Sequence, residues 1–372
     1  MAKLKRYLFD QVVSDLKKKM VFVGGPRQVG KTTLAKSLLK DKIGYLNWDV
    51  RVDREKILLG EFPETPLWIF DEIHKYRTWR NMLKGLYDSK SSSQEILVTG
   101  SAKLDYYRYS GDSLQGRYHY LRMHPLSFAE LKSGKQDDLI QLLTLGGFPE
   151  PFFGGSEIEA KRWSREYRSR LIREDLVQLE RVQDLGNLEL LALRLPEVVG
   201  GPLSINSLRE DLQVSHKTVS QWLIILERMY SIFRLAPFGA PKIRAVKKEQ
   251  KHYHFDWTLV KDSGLRFENL VASALLKWVD YKQDTEGDEI ELRYFRDVDR
   301  REVDFVLVRG RAPVQLIECK WSDAEINPAL RYLKIRFPNV EAFQISAVGV
   351  KDYVSADGIR VCPARVFLNG LV

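Results

Sequence analysis

The chain has 372 residues, 44% hydrophobic and 29% charged, a balance that excludes a disordered protein and is too long for one ordinary core. Its 59 Lys+Arg against 50 Asp+Glu give a formal net charge of +9, which favours polyanionic partners such as nucleic acid. Two cysteines, Cys319 and Cys362, far apart and outside any C-x-x-C arrangement, exclude a disulfide framework and a cysteine-built zinc site, and fit a reducing compartment.

The basic opening MAKLKRYLFDQVVSDLKKKM lacks the apolar core of a signal peptide, and no later run approaches membrane-spanning length. The expectation is a cytoplasmic protein with no membrane partner.

Met20 to Val23 is an apolar run that leads into GGPRQVGKTTL and then the helical-looking Leu34 to Lys40, so strand, glycine-rich loop and helix follow in order. Gly25, Gly30, Lys31 and Thr32 satisfy G-x-x-x-x-G-K-[ST]. The loop Gly25, Pro26, Arg27, Gln28, Val29, Gly30, Lys31, Thr32 and Thr33 would cradle the phosphates of ATP, with backbone amides curled around oxygen and the following helix presenting its positive end. Lys31 would reach the β- and γ-phosphates, and Thr32 would hold Mg²⁺.

An apolar strand ending in acids, PLWIFDE over Pro66 to Glu72, supplies the expected counterpart. Asp71 would hold Mg²⁺ through water and Glu72 would polarise the attacking water; alternatively the strand simply ends in solvated carboxylates. Glu95 to Ser101, EILVTGS, reads as another buried parallel strand, with Thr99 or Ser101 at the edge where the γ-phosphate would lie. The segment LQGRYHYLRMHPLSFAEL offers Arg117 as an arginine finger for the transferring phosphoryl group, of a neighbouring subunit or otherwise, or as an ordinary surface arginine.

GGPRQVGKTTL, the acids of WIFDEIHK, the LVTGSA strand end, the LQGRYHYLRMHPLSFAEL segment and the GGFPEP turn together resemble a prokaryotic family of AAA+ ATPases. In that family the ATPase core precedes a C-terminal domain of the DUF4143 type. The resemblance runs over most of the chain and implies ATP binding rather than a biological role.

KRWSREYRSRLIREDL interleaves Arg162, Arg165, Arg168, Arg170 and Arg173 with aromatics, a pattern that suits nucleic acid. Trp163, Tyr167, Leu171 and Ile172 also recur at helical spacing, the mark of an amphipathic helix with a solvated basic face. Ser204 to Arg234 predicts a helix-turn-helix, with a capping box at Ser207 and Glu210 and a second helix from about Ser215. Leu212, Val214, Val219, Leu223 and Leu226 would form its core, leaving His216, Lys217, Ser220 and Gln221 for a major groove. APFGAPKIRAVKKEQKHYHF would be a hairpin wing gripping phosphate through Lys242, Arg244, Lys247, Lys248 and Lys251, or a lid or protein contact.

From Asp262 a helix, SGLRFENLVASALLKW, precedes the strands ELRYFRD, EVDFVLVR and APVQLIECKW. Glu268, Asp304 and Glu318 could converge on one or two Mg²⁺ ions, with Lys320 two residues beyond Glu318 on the same face. The order Glu, Asp, E-x-K resembles the PD-(D/E)xK nuclease superfamily, which includes archaeal Holliday-junction resolvases. The resemblance implies DNA cleavage with Asp304, Glu318 and Lys320 catalytic. The other reading is a salt-bridged network in which Lys320 and Arg301 satisfy the acids.

The expected architecture is an α/β protein. A P-loop AAA+ ATPase core with a parallel sheet (1–155) precedes a helical and winged-helix connector (156–250) and a C-terminal α/β restriction-endonuclease-like domain (251–372). The expected function is ATP-driven binding and remodelling or cleavage of DNA, in a homo-oligomer such as a ring. The alternative is an ATP-driven switch whose last domain binds protein or nucleic acid without cutting. A sequence-specific regulator is the third reading.

Overall fold

Apolar strands flanked by helices should stack into parallel sheets covered on both faces, and the computed structural model has such a sheet in its first part. It describes residues 4–40, 43–100, 114–176, 184–239 and 250–372. They divide into two units, one of residues 1–125 with 284–286 and one of 126–283 with 287–372.

In the first unit, helix α1 (Phe9–Leu16) leads into strand β1 (Met20–Gly24) and α2 (Lys31–Ser37) follows the loop. Then come β2 (Tyr45–Asn47), α3 (Arg51–Leu59), β3 (Leu67–Asp71), α4 (Trp79–Ser89), β4 (Glu95–Thr99) and β5 (Tyr118–Arg122). The sheet order is β2-β3-β4-β1-β5, every pair parallel. All five residues of β1 are buried, as a central strand covered on both sides requires. Phe22, Phe70, Ile96, Val98 and Leu83 belong to one of its apolar clusters. Because β4 lies between β1 and β3, Asp71 pairs with Thr99 in register while Val23 pairs with Thr99 from the other side.

The second unit holds α5 (Glu157–Arg170), α6 (Ile205–Leu212), α7 (His216–Arg228), the antiparallel pair β6 (Ile232–Leu235) and β7 (Lys251–His254), and the long α8 (Ser263–Glu286) up to residue 283. A sheet of β8 (Ile290–Arg296), β9 (Glu302–Arg309), β10 (Ala312–Lys320), β11 (Glu341–Ser346), β12 (Tyr353–Val354) and β13 (Ile359–Pro363) follows, with α9 (Pro328–Arg336) between β10 and β11. Its order is β12-β13-β11-β10-β9-β8, with β10-β11 and β11-β13 parallel and the other pairs antiparallel.

The segment assigned to a connector and the terminal sheet share one unit. The Asn269 side chain on α8 accepts from the His254 amide at 2.9 Å and donates to the His254 carbonyl at 2.7 Å, which ties β7 to α8.

Helix α6 is capped by Ser204, whose hydroxyl accepts from the Ser207 amide at 3.2 Å, so the expected box at Ser207 and Glu210 does not form. The earlier serine wins because the helix already includes Ser207. Helix α7 begins after Ser215, which caps it through the Thr218 amide at 3.0 Å. Leu212, Val219, Leu223 and Leu226 are buried, while His216, Lys217 and Gln221 are exposed. On α5, Trp163 stacks on Tyr167 at 4.8 Å and both rings pack on Phe148, so these aromatics build the helix's inner face while Arg162 and Arg165 point outward.

Candidate nucleotide site and a carboxylate cluster

The chain leaves β1 through a turn that only glycine can make. Gly25 has φ +130°, and a Cβ there would stand 2.2 Å from the Met123 carbonyl oxygen. Gly30 adopts φ 98° immediately before α2. Helix α2 begins at Lys31, three residues earlier than the sequence reading placed it, because Lys31 and Thr32 are themselves its first turn.

Lys31 is buried, and its ammonium donates to the carbonyls of Gly25 at 2.9 Å and Pro26 at 2.5 Å, which holds it across the mouth of its own loop. The next hydroxyl, Thr32 Oγ1, donates to Asp71 Oδ2 at 2.8 Å. Asp71 also accepts from Tyr45 OH at 2.5 Å and from Thr99 Oγ1 at 2.6 Å. Burial, followed by the adjacent Asp71 carboxylate, raises the Tyr45 phenol above its ordinary range, so this hydroxyl stays a donor.

Glu72 follows with φ 56°, its amide donating to the Thr99 carbonyl at 3.0 Å and its carboxylate 3.4 Å from Lys75 Nζ and 3.5 Å from His74 Nε2. Arg6 donates to the carbonyls of Val29 in the loop and of His124 beyond β5, so the residues before α1 brace the loop from behind.

Mg²⁺ favours a few protein oxygens and keeps several waters. A hydroxyl and a carboxylate held side by side at Thr32 and Asp71 suit that preference. Ser101 lies outside the described residues, and of the two alternatives for the phosphate edge Thr99 is seen bonded to Asp71. Arg117 sits elsewhere. Its carbonyl accepts from the amide of Met20 at the start of β1, a strand length of about 13 Å from the loop. Its guanidinium grips Asp88 with bonds of 2.8 and 3.2 Å. It does not reach the loop of its own chain.

In the second unit, Asp304 on β9 and Glu318 on β10 lie one step beyond the paired Phe305 and Ile317. Asp304 Oδ2 accepts from the Cys319 amide at 2.8 Å, and the Asp304 amide lies 3.4 Å from Glu318 Oε2. Glu318 Oε1 accepts from Lys320 Nζ at 2.8 Å and from Asn327 Nδ2 at 2.5 Å. Glu268 on α8 accepts from Tyr253 OH at 2.7 Å.

At the centre is a residue the sequence reading placed on an exposed basic wing. Lys251 Nζ lies 2.5 Å from Glu302 Oε1, 3.4 Å from Glu268 Oε1 and 3.8 Å from Asp304 Oδ1, and its side chain is 1% exposed. Lys251 is thus an internal cation and not a phosphate-gripping one. Burial alone would lower its affinity for the proton, but Glu268, Asp304 and Glu302 outweigh that and keep it charged. Burial, and after it the Asp304 charge, raise Glu268 and Glu318 well above ordinary carboxylates.

The expected Mg²⁺ set of Glu268, Asp304 and Glu318 does not fit a divalent ion in this arrangement, because an ammonium stands among the oxygens. Among the described residues, no three acid, histidine or cysteine side chains are grouped to hold a metal. Arg301, the alternative partner for these acids, instead bonds Asp297 at 2.7 Å. Lys242, Arg244, Lys247 and Lys248 lie outside the described residues, and Lys217 is exposed at the start of α7.

Sequence reasoning missed Tyr45, Arg6 and Glu302, and gave Lys251 a different role. Only Glu302 had a usable signal, two positions before Asp304 and so on the same strand face.

Comparison with known proteins fits this geometry. A model described as an AAA domain matches residues 17–132, and a model of DUF4143 matches residues 263–367. The chain carries an AAA-type ATPase domain and a C-terminal DUF4143 domain. Between them, a domain of unknown function, DUF8612, matches residues 136–266. An uncharacterized protein of Mycobacterium tuberculosis is 25% identical over 251 residues, covering 66% of this chain and 55% of the relative. One of Haemophilus influenzae is 24% identical over 282 residues, covering 66% of this chain and 67% of the relative. The chain spans about half the length of the mycobacterial relatives it matches. Among solved structures, RuvB of Thermotoga maritima overlaps with a TM-score of 0.27 at 16% identity, over 61% of this chain and 88% of that one. The architecture of the AAA domain is read from its own strand order. No helix among the described residues is long and apolar enough to cross a membrane.

Proposed function

We propose that the protein hydrolyses ATP at the loop Gly25 to Thr33 and uses that turnover to drive a nucleic-acid-binding second unit. The observation that carries the first half is the contact of Thr32 Oγ1 with Asp71 Oδ2, which brings the loop hydroxyl and the strand acid to one point. Lys31 would leave the carbonyls of Gly25 and Pro26 for the β- and γ-phosphates, trading two neutral acceptors for charged ones. Thr32 and Asp71 would hold Mg²⁺, which when bound supplies charge neutralisation between the phosphates. Glu72, at the end of β3, would orient the attacking water, and Thr99 keeps Asp71 aimed.

The second half rests on the net charge of +9, on exposed Lys217 at the head of α7, and on the basic run Lys242, Arg244, Lys247 and Lys248. The α6–α7 pair and the β6–β7 ribbon support a winged-helix reading of this segment. Cleavage is not part of the proposal, since the seated Lys251 leaves no room for the metal that cleavage would use. A homo-oligomer remains part of it, because Arg117 could act as a finger only on a neighbour's nucleotide.

The test is ATP turnover of the wild type and of Lys31→Ala, with and without duplex DNA. Turnover abolished by Lys31→Ala and stimulated by DNA in a salt-sensitive manner is the expected result. Unchanged turnover in Lys31→Ala would reject the site, and DNA binding indifferent to salt would reject the second half.

A further inference from the structure

We infer that Asp49 is a positioning residue for ATP hydrolysis: it holds the Lys75 ammonium away from the Glu72 carboxylate and so leaves that carboxylate open to the attacking water. This role rests on the nucleotide reading proposed above.

Strand register brings the three side chains together. β2 and β3 are parallel neighbours with Asn47 opposite Asp71, and the Trp48 amide donates to the Asp71 carbonyl at 3.0 Å. Asp49 and Glu72 therefore leave the sheet at the same edge. Beyond Glu72 a short 3-10 turn (Ile73–Lys75) reverses the chain, and the Lys75 amide donates to the Glu72 carbonyl at 3.1 Å. The Trp48 and Tyr76 rings stack at 4.8 Å with 22° between their planes, which pins the segment after β2 against the turn after β3. The Asp49 amide donates to Asn47 Oδ1 at 2.9 Å and fixes Asp49 at the strand end.

Lys75 stands between two carboxylates and engages them unequally. Its ammonium donates to Asp49 Oδ2 at 2.5 Å but lies 3.4 Å from Glu72 Oε2. The first is a short, charge-assisted hydrogen bond, and the second is a looser ion pair. His74 Nε2, 3.5 Å from the same Glu72 oxygen, also stands beyond close bonding distance. An acceptor oxygen committed to an ammonium holds a water poorly. Lysine's stem is flexible, so the competing Asp49 anion is what keeps the ammonium from closing the remaining gap to Glu72. Among the described residues, Lys75 is the partner of the Asp49 carboxylate, and that carboxylate is half-exposed, so neutralising it costs little stability.

The experiment measures steady-state Mg²⁺-ATP turnover, fluorescent-nucleotide affinity and melting temperature of the full chain. It compares wild type, Asp49→Asn, Lys75→Met and the double variant. Asp49→Asn keeps the shape and loses the charge. Its kcat should fall by about tenfold or more, with KM, nucleotide affinity and melting temperature at wild-type values because the loop is untouched. Adding Lys75→Met should restore kcat, since the ammonium that Asp49 restrained is then gone. A merely structural Asp49 gives the opposite result, a double variant at least as slow as Asp49→Asn, and that would overturn the inference. So would an Asp49→Asn that loses nucleotide affinity together with turnover, or a Lys75→Met that is slow by itself. Unchanged kcat in Asp49→Asn beside an active wild type would reject this inference alone. An inactive wild type would reject the nucleotide reading and this inference with it.

Discussion

Thr32 Oγ1 stands 2.8 Å from Asp71 Oδ2, and this single contact joins the glycine-rich loop to the acid-tipped strand two positions away in the sheet. The contact requires β4 to lie between β1 and β3, since Thr99 of that strand holds the other oxygen of Asp71 at 2.6 Å. Thr32→Val and Asp71→Asn should each lower Mg²⁺-dependent ATP turnover by about 100-fold, as loss of one preorganised electrostatic group does. The double variant should be little worse than either single one, because the two side chains act as one unit. Additive losses in steady-state kinetics would contradict the shared role.

Gly25→Ala should abolish nucleotide binding and lower the melting temperature. The added methyl would have to enter the space of the Met123 carbonyl, and the backbone there is a conformation that alanine avoids. Gly60→Ala serves as the comparison, for although its φ is +73° nothing lies within 4 Å of its Cβ position. Its effect should be confined to α3 stability, with nucleotide affinity preserved in a fluorescent-nucleotide titration.

Arg117→Ala should leave nucleotide affinity unchanged. The guanidinium is engaged by Asp88, and its backbone lies at the far end of β1 from the loop. Turnover measured against protein concentration then separates the remaining alternatives. A defect that appears only where the chain self-associates marks a finger in trans, and no defect at any concentration marks a surface ion pair.

Stability should fall on acidification through a pair of buried histidines. Burial lowers His252 to about 4, from an ordinary value of 6.5, and lowers His254 well below that ordinary value. The unfolded chain therefore binds protons that the folded chain refuses. The contribution is fully present above pH 6.5 and is lost as pH falls toward the folded value of His252, about 4. Urea unfolding at several pH values should show this slope, and His252→Gln, which keeps an amide to donate to the Leu195 carbonyl, should flatten it.

The buried Lys277 gives a further test. Its ammonium donates to Ser127 Oγ at 2.8 Å and pairs with Glu130, both within the second unit. Lys277→Ala should destabilise by about 3–5 kcal/mol, because it takes away the buried cation that balances the Glu130 carboxylate. Restoring balance with Glu130→Gln in the same chain should recover part of that loss in chemical denaturation. No recovery would mean that the cost lies in the cavity.

The nucleotide loop could be read from the sequence because its parts are adjacent. Glycines at the bends, one lysine and one threonine lie within eight residues, and backbone curvature forces them together. The partner acid was legible for a related reason, since Leu67 to Asp71 is a buried parallel strand and its last residue must emerge at the same sheet edge. Tyr45 and Arg6 gave no such signal, because neither local pattern nor periodicity says which remote carboxylate or carbonyl they will meet. Lys251 defeats a reading from sequence for a physical reason. In a run of lysines, solvation is the default expectation, yet this one begins a strand whose four residues are all buried. The sequence shows Glu268, Asp304 and Glu318 as candidates for a metal and shows Lys320 beside them, but the identity of the neutralising cation is decided by tertiary packing.

The ammonium at the heart of the terminal acids also determines what can be cut out of this protein. The family match for the last module begins at residue 263, twelve positions after Lys251. A fragment trimmed at that boundary would keep Glu268, Glu302 and Asp304 while discarding their counter-ion and the Tyr253 hydroxyl. Such a piece would strip Glu268 of both its cation and its hydroxyl donor, so the last module is not a portable cassette, and its lower limit for independent expression lies upstream of β7.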